Sequence, residues 1–351
     1  MAPRHNPLAS DLNDILSRTE AEWAALRGSR IFLTGGTGFI GSWLLESLAW
    51  ANDRLDAQVD VTVLTRSPGA FARKAPHLMQ NPAFRFKTGD VRDFAYAGEQ
   101  YTHVIHAATA ASAQLNTEQP FEMIDTIVDG TRHVLDFTVA CKARCFLHTS
   151  SGGVYGRQPP TLPTVPEDYA GAPDPMDPWS CYSEGKRMAE LLGMLYSRRH
   201  GFEHKIARIT ALVGPHLPLD IHYAMGNFIR DAMRGGPIRI GGDGTPYRSY
   251  LYIADLITWL WVILVRGVSN RPYNAGSEEA ITILDTARAV NTVCGGGCDI
   301  QVAQTPVSGA PAARYVPSTR RAQVELGLRQ WTDLPTGIRR TVDWQRSVRP
   351  R

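Results

Sequence analysis

The fold is decided by the stretch Ile31-Phe-Leu-Thr-Gly35-Gly-Thr-Gly38-Phe-Ile-Gly41. An apolar, strand-like run leads into a glycine-rich turn, and a helical pattern follows through Trp50. Gly35 allows the tight turn, Gly38 lets backbone N–H groups approach a pyrophosphate, and Gly41 lets the helix pack closely on the strand. The first turn of that helix then faces negative phosphate. The pattern predicts a dinucleotide-binding βα unit.

Outward from this turn, apolar strand-like runs alternate with helical patterns. Strands are predicted over 59–65, 84–88, 103–107, 144–150 and 205–212, and helices over 120–140 and 182–200. Such alternation indicates right-handed βαβ units and an α/β fold with a Rossmann-type, doubly wound parallel sheet.

Changes in the pattern of predicted strands and helices divide the chain into predicted domains. Residues 1–29 are predicted to be an N-terminal helical extension, with one amphipathic helix over 11–27. The dinucleotide-binding domain is predicted over 30–213, with 252–290 returning to it. Proline and glycine become frequent after 214, so 214–251 and 291–351 are predicted to form a smaller substrate-binding α/β lobe.

Bulk properties exclude several classes of protein. A formal net charge of +3 over 351 residues gives no case for nucleic-acid binding. The most apolar run, Leu256 to Val265, is too short to cross a bilayer, and the first residues lack a secretory core, so a cytoplasmic protein without membrane contact is predicted. The two cysteine pairs, Cys141/Cys145 and Cys294/Cys298, have no further ligands at zinc-site spacing, so no metal site is predicted.

The end of the second predicted strand bears on the cofactor. An NAD site usually has Asp or Glu there to bind the adenosine ribose, but this chain has Thr65 followed by Arg66. Arginine can bind a 2′-phosphate through two parallel hydrogen bonds. We therefore predict NAD or NADP, with NADP favoured. Asp90, at the end of the third strand, is placed to meet the adenine edge.

A catalytic group is predicted beyond the middle of the sheet. Tyr182 and Lys186 are four residues apart at the start of a helical segment, so they lie on one face. A neighbouring ammonium lowers the pKa of a phenol, which suits it to proton transfer. Ser151, at the end of a strand in the same sheet, adds a hydroxyl beside the substrate oxygen. Together these residues are typical of hydride transfer coupled to proton transfer.

With these motifs in view, the chain resembles the extended short-chain dehydrogenases, and within them the nucleotide-sugar epimerase/dehydratase group. The resemblance spans about residues 30 to 345. It rests on TGGTGFIG (34–41), GDVRD (89–93), HAAT (106–109), SSGGVYG (150–156), YSEGK (182–186) and GNFIRDAMRGGPIRIGGDGTPYRSYLYIADL (226–256).

The resemblance implies a nucleoside diphosphate-sugar substrate and a homodimer built on a four-helix bundle, here from the helices near 120–140 and 182–200. It implies diphosphate contacts for Asn227 and Arg248, and places Ser151 and Gly152 beside the substrate. It also implies a set of cofactor contacts besides those named above, with Lys186 on the nicotinamide ribose. The others are Thr37, Phe39, Ile40, Val91, Ala107, Ala108, Thr109 and Val213.

Departures from the family pattern shape the functional hypotheses. Gly152 and Gly153 stand where sugar 4,6-dehydratases have Asp-Glu and the related decarboxylases have Glu, so dehydratase and decarboxylase chemistry is disfavoured. The first hypothesis is an NAD(P)-dependent enzyme acting at C4 of a nucleoside diphosphate-hexose, as epimerase or 4-ketoreductase. Ile127 and Ala211 replace frequent asparagines, and the stretch around Ala211 partly resembles dihydroflavonol reductases. The alternatives are therefore an NADPH-dependent reductase of a non-sugar carbonyl compound and a non-catalytic dinucleotide-binding protein.

Overall fold

The computed structural model describes residues 6–109, 113–221 and 223–348. Its strands are β1 (Arg30–Thr34), β2 (Asp60–Thr65), β3 (Phe84–Thr88), β4 (His103–His106), β5 (Cys145–Ser151), β6 (Glu203–Ile209), β7 (Leu212–Val213), β8 (Ile238–Ile240), β9 (Tyr247–Arg248), β10 (Leu251–Tyr252), β11 (Pro272–Ala275), β12 (Ile281–Thr282), β13 (Ile300–Val302) and β14 (Arg314–Tyr315).

Its helices are α1 (Ala9–Arg18), α2 (Glu20–Leu26), α3 (Phe39–Leu55), α4 (Pro68–Lys74), α5 (Pro76–Met79), α6 (Ala113–Glu118), α7 (Pro120–Ala140), α8 (Cys181–His200), α9 (Ala224–Met233), α10 (Ile253–Arg266), α11 (Ile283–Cys294), α12 (Arg320–Leu326) and α13 (Leu334–Val348).

Seven parallel strands form the central sheet, in the order β11-β6-β5-β4-β1-β2-β3. The predicted Rossmann-type α/β fold is therefore confirmed. The chain adds β2 and β3 on one side of β1 and then crosses to add β4 on the other. The carboxyl ends of β1 and β4 thus border the crevice where strand order reverses, which is where open α/β sheets bind ligands.

Three small sheets lie outside the central one: β10 with β7, β12 with β9 and β14, and β13 with β8. The division into two domains stays a prediction. Within it, β12 belongs to the segment predicted to return to the first domain, yet it pairs antiparallel with β9. The same β9 pairs in parallel with β14, so Arg248 and Tyr315 lie side by side.

Three sequence-based boundaries are wrong. The helix predicted through Trp50 continues to Leu55. The predicted helix over 11–27 is two helices, because Thr19 leaves helical geometry (φ −130°, ψ 24°) and its hydroxyl donates to the Ile15 carbonyl at 2.6 Å. The predicted strand over 205–212 ends at Ile209. After Thr210 and Ala211 the chain begins β7, whose partner is β10 rather than a strand of the central sheet.

The N-terminal helices cover α10. Trp23 of α2 packs on Trp261 with 4.8 Å between ring centroids, and Arg18 pairs with the buried Asp255 at 3.4 Å. This cover explains why α10 is apolar on every side: it is a buried helix. None of the helices in the described part of the chain is long and apolar enough to cross a membrane.

Candidate active site

The glycine turn is held so tightly that side chains have no room in it. Gly35 has a φ of +72°, and a Cβ there would lie 2.4 Å from the carbonyl of Ala107. A Cβ at Gly41 would lie 2.2 Å from the Gly35 carbonyl oxygen. No side chain caps α3 at Gly38, so the backbone N–H groups in the first turn of α3 face the crevice. This cradle fits the pyrophosphate of a nicotinamide dinucleotide.

Two cavities meet at the glycine turn. The larger, of about 730 Å³, extends toward β9 and β14. Predicted site residues on its wall are Gly35, Gly38, Phe39, Ile40, Gly41, Ala107, Thr109, Ser151, Tyr182, Lys186 and Arg248. The smaller, of about 370 Å³, lies at the ends of β2 and β3. Its wall includes Thr37, Arg66, Asp90, Val91 and Ala108. The structure therefore gathers most of the predicted residues into one continuous crevice.

The smaller cavity is rich in cations. Arg66 is exposed at the end of β2, and Lys74 of α4 lies on the same wall. Asp90 accepts hydrogen bonds from Arg92 Nε at 2.8 Å and from the Arg92 backbone N–H at 3.0 Å. The Arg92 guanidinium holds the pKa of the Asp90 carboxyl below its usual value. Among the described residues on this wall, Asp90 is the one acidic side chain, and it is already paired.

Lys186 is almost fully buried in the first half of α8. Its Nζ donates to Thr109 Oγ1 at 2.7 Å and to the Thr149 carbonyl at 2.8 Å. Burial lowers the pKa of Lys186 to about 8, and the Glu190 carboxylate one turn further along works in the opposite direction. The ammonium is thus fixed between β4 and β5, at the crevice floor.

Tyr182 lies at the start of α8, where Asn116 orients the backbone. The Asn116 Oδ1 accepts from the Tyr182 N–H at 3.2 Å, and its Nδ2 donates to the Trp179 carbonyl at 3.1 Å. The phenol of Tyr182 lies on the same cavity wall as Ser151. Burial raises the pKa of Tyr182, and the nearby Ser151 hydroxyl works against that rise. The predicted lowering of the Tyr182 pKa by Lys186 is not found, because the lysine Nζ is directed to Thr109 and Thr149.

Three predicted ligand contacts, Gly152, Val213 and Asn227, lie away from the cavity walls. Val213 is fully buried, and Gly337 packs closely against it, whereas its neighbour Leu212 lines the larger cavity. Successive side chains of a strand point to opposite faces, so one of the two must face the core. Asn227 does not reach the wall either, since its Oδ1 accepts from Arg230 Nη1 at 3.1 Å.

Arg248 keeps its predicted place on the larger cavity. Its Nη1 donates to the Tyr247 carbonyl at 2.9 Å, and its guanidinium lies 6.0 Å from the Tyr315 ring centroid. Within the described ranges no carboxylate forms an ion pair with it. Its remaining N–H groups can serve an anionic ligand.

Sequence reasoning missed three tyrosines on the same wall: Tyr223, Tyr250 and Tyr315. Tyr315 lies on the same cavity wall as Ser151, and a Cβ at Gly152 would lie 2.7 Å from the Tyr315 hydroxyl oxygen. The glycine at 152 was the available signal, since it leaves space beside the end of β5. Its occupant comes from far along the chain, so single-sequence reasoning had no means of finding it.

The comparisons with known proteins agree with this geometry. The profile of the NAD dependent epimerase/dehydratase family matches residues 31–276. The chain belongs to this family. A related protein, UDP-glucuronic acid decarboxylase 3 of Arabidopsis thaliana, is 32% identical over 275 residues, which cover 78% of this chain and 77% of that protein.

Solved structures of other family proteins share the fold. A UDP-glucose 4-epimerase from Thermotoga maritima, solved with UDP-glucose, has a TM-score of 0.77 at 23% identity and covers 91% of this chain and 99% of its own. A dTDP-glucose 4,6-dehydratase from Streptomyces venezuelae, solved with NAD bound, has a TM-score of 0.77 at 23% identity, over 91% of this chain and 97% of its own.

One functional prediction is wrong. Gly152 and Gly153 do not argue against dehydratase and decarboxylase chemistry, because the matching family profile is that of epimerases and dehydratases and a relative 32% identical is named as a decarboxylase. These two glycines begin a short 3-10 helix directly after β5, and they do not define the site on their own. The structure places the hydroxyl of Tyr315, from a distant strand, beside Gly152.

Across residues 6–109, 113–221 and 223–348, no cluster of three or more His, Cys, Asp or Glu side chains is arranged to hold a metal ion.

Proposed function

We propose that this family member transfers hydride between C4 of a nucleoside diphosphate-hexose and a nicotinamide dinucleotide. The observation that carries the proposal is the continuous crevice, which joins the glycine turn to Tyr182, Ser151 and Arg248. The family match and the names of the relatives support a nucleotide-sugar substrate over a non-sugar carbonyl compound.

The residues divide the chemistry between them. When bound, the nicotinamide ring accepts or returns a hydride. Tyr182 takes the proton of the C4 hydroxyl as the ketone forms and gives it back on reduction, with Ser151 hydrogen-bonded to the same oxygen. Lys186 holds a positive charge under the crevice floor, where it would bind the nicotinamide ribose. Arg248 binds the diphosphate through its free N–H groups.

The 4-ketone has two outcomes that use this group alone. Hydride can return to the opposite face of the sugar, which is epimerisation. Alternatively, a 4-keto sugar can arrive as substrate and be reduced once by exchangeable cofactor. Product analysis after incubation with UDP-glucose, UDP-glucuronic acid or dTDP-glucose detects epimerisation, and incubation of a nucleoside diphosphate-4-keto sugar with NADPH detects reduction. We expect Tyr182→Phe to abolish turnover, and Tyr247→Phe, outside the cavity walls, to retain it. Absence of any hydride transfer by the wild-type protein would refute the proposal.

For the cofactor we propose NADP rather than NAD. Arg66 and Lys74 border the cavity at the end of β2, and no unpaired carboxylate among the described wall residues faces a ribose 2′-hydroxyl there. Mass spectrometry of the cofactor released on denaturation, followed by titration of the empty protein with NADPH and NADH, tests this. Tightly retained NAD would contradict the NADP preference and would favour a self-contained epimerase cycle.

We also propose that the protein is a homodimer formed through α7 and α8. Exposed apolar side chains lie on these two helices, namely Phe121, Ile124, Met188, Leu191 and Leu195. A second copy of the same helices would bury them in a four-helix bundle. Light scattering should give a dimer for the wild type and a monomer for a Leu191→Glu, Leu195→Glu double variant. A monomeric wild type would refute the dimer. The cytoplasmic location stays a prediction.

A further inference from the structure

Glu190 of α8 and Arg208 of β6 form a buried ion pair beside the carboxyl end of β5. Arg208 Nη2 donates to Glu190 Oε2 at 2.7 Å, and its Nε donates to Oε1 at 3.0 Å, so the contact is bidentate. The two side chains are 12% and 14% exposed, and neither residue lies on a cavity wall. Replacement of a buried ion pair by apolar side chains is often neutral or stabilising, so stability alone does not account for this pair.

The ion pair holds the chain on both sides of Ser151. Before it, Ser150 is the cross-strand neighbour of Arg208, and its hydroxyl donates to Glu190 Oε1 at 2.5 Å. After it, Tyr155 ends the short helical turn that follows Ser151, and its hydroxyl oxygen accepts from Arg208 Nη1 at 3.0 Å. The position of the Ser151 hydroxyl on the cavity wall therefore depends on contacts of both members of the pair.

The same ion pair is linked to Lys186. The carbonyl that accepts from Lys186 Nζ at 2.8 Å belongs to Thr149, which directly precedes Ser150. Glu190 also follows Lys186 by four residues in α8, so the two side chains lie on one face of the helix. One carboxylate thus holds the strand that binds the lysine and lies one turn away from its ammonium.

Glu190 supplies the charge that acts on Lys186. Burial lowers the pKa of Lys186, and the Glu190 carboxylate opposes that change. The other described titratable groups around the ammonium are neutral near pH 7. Burial lowers the pKa of the two imidazoles on β4 and β5 and raises that of the phenol at the start of α8, namely His106, His148 and Tyr182.

We propose that Glu190 and Arg208 are positioning residues of the active site: they fix the chain on both sides of Ser151, and Arg208 limits how strongly Glu190 favours the ammonium of Lys186. Neither residue touches substrate or cofactor, so both act through Ser151 and Lys186. The inference rests on the proposed function for the roles of those two residues, but its first test needs no turnover.

Charge variants of the pair should move the titration of Lys186 in opposite directions. Glu190→Gln removes the carboxylate and leaves the guanidinium, so Lys186 should lose its proton at a lower pH. Arg208→Gln leaves the carboxylate unbalanced, so Lys186 should keep its proton to a higher pH. A close charge shifts a neighbouring pKa by about 1–3 units, so each variant should move the titration by about one pH unit. Arg208→Lys keeps the charge and should titrate as the wild type does.

The titration is measured by urea unfolding without cofactor between pH 6 and 10, for each protein with and without Lys186→Met. The free energy of unfolding with Lys186, minus that with Met, is constant while folded Lys186 is charged. It rises above the folded pKa, because the unfolded chain then binds more protons. The onset of this rise should lie near pH 8 in the wild type. Glu22→Gln is the matched control, since the buried Glu22 carboxylate pairs with Arg266 at 2.8 Å; it should lose stability without moving the onset.

Alignment of Ser151 is measured separately, by kcat and KM with the nucleotide sugar that the wild type turns over. Misplaced groups cost up to about 100-fold in rate, so kcat should fall at least about tenfold for Glu190→Gln, with a much smaller change in KM. Ser150→Ala removes one contact of the ion pair but neither charge. It should lower kcat in the same way and leave the onset at the wild-type pH.

Onsets that move in the same direction, or do not move, would overturn the inference, and so would an unchanged kcat in both Glu190→Gln and Ser150→Ala. Where one charge variant does not fold, the onset of the other against the wild type decides. Opposite onsets in a protein that transfers no hydride from UDP-glucose, UDP-glucuronic acid or dTDP-glucose would refute the proposed function and leave the charge arrangement around Lys186 standing.

Discussion

Lys186→Met should make the protein more stable at neutral pH while it removes activity. The ammonium of Lys186 is almost fully buried, and burial lowers its pKa from 10.5 to about 8. At 1.36 kcal/mol for each pH unit, this lowering corresponds to about 3 kcal/mol against the charged form in the folded state. Methionine avoids that penalty but leaves the Thr149 carbonyl and Thr109 hydroxyl without their donor, which costs about 1 kcal/mol.

The expected gain of about 2 kcal/mol at pH 7 depends on pH. Between pH 8 and 10.5 the unfolded chain still holds a proton that native Lys186 has lost, so wild-type stability rises with pH. In this range the free energy of unfolding of the wild type rises by about 1.4 kcal/mol for each pH unit, and that of Lys186→Met does not. The advantage of the variant should therefore shrink above pH 8 and vanish near pH 9.5.

Urea unfolding of both proteins without cofactor, at pH 7, 8, 9 and 9.5, measures this difference. Lys205→Met is the matched control, because Lys205 is also buried but pairs with Glu203 at 2.9 Å. That variant should be less stable than the wild type at pH 7. A Lys186→Met protein that is less stable at pH 7, or whose stability difference does not change with pH, would refute the reasoning.

Three further variants test the crevice. Gly41→Ala puts a Cβ 2.2 Å from the Gly35 carbonyl oxygen. This variant should destabilise the protein by about 1–3 kcal/mol and remove its thermal stabilisation by NADPH. Gly69→Ala is the control, because the space around Gly69 is open, and it should have neither effect. Arg66→Glu should reverse the preference for NADPH over NADH by at least about tenfold in titrations, because it replaces a bidentate cation with a carboxylate; an unchanged ratio would contradict that role. Arg248→Met should remove thermal stabilisation by UDP, and a retained shift would place the diphosphate elsewhere.

Local sequence patterns predicted the fold well and led to candidate residues that line one crevice. The glycine turn, Tyr182, Lys186 and Ser151 belong to segments whose geometry follows from periods of two and 3.6 residues and from steric limits at glycine. Their convergence at one edge of the sheet follows from parallel strand pairing. These features are local, so a single chain without relatives carries the information.

Other placements were not predicted, because they depend on side-chain contacts and pairings that the sequence pattern does not show. Asn227 was assigned a ligand contact by analogy, but Arg230 one turn away holds its side chain. Val213 was assigned to the cofactor, but the pleat of a two-residue strand turns it into the core. Tyr315 lies more than 160 positions from Ser151 in the chain, and only the pairing of β14 with β9 brings them together.

The most direct test of the account follows deuterium from C4 of the sugar. UDP-glucose, UDP-glucuronic acid and dTDP-glucose, each deuterated at C4, are incubated with the protein and oxidised cofactor, and the cofactor is analysed by mass spectrometry. The account predicts deuterium in the nicotinamide ring with at least one of these sugars, and none when Tyr182 is replaced by Phe. Unlabelled cofactor with all three sugars, or equal labelling by the Tyr182→Phe protein, would contradict hydride transfer at C4 by this site.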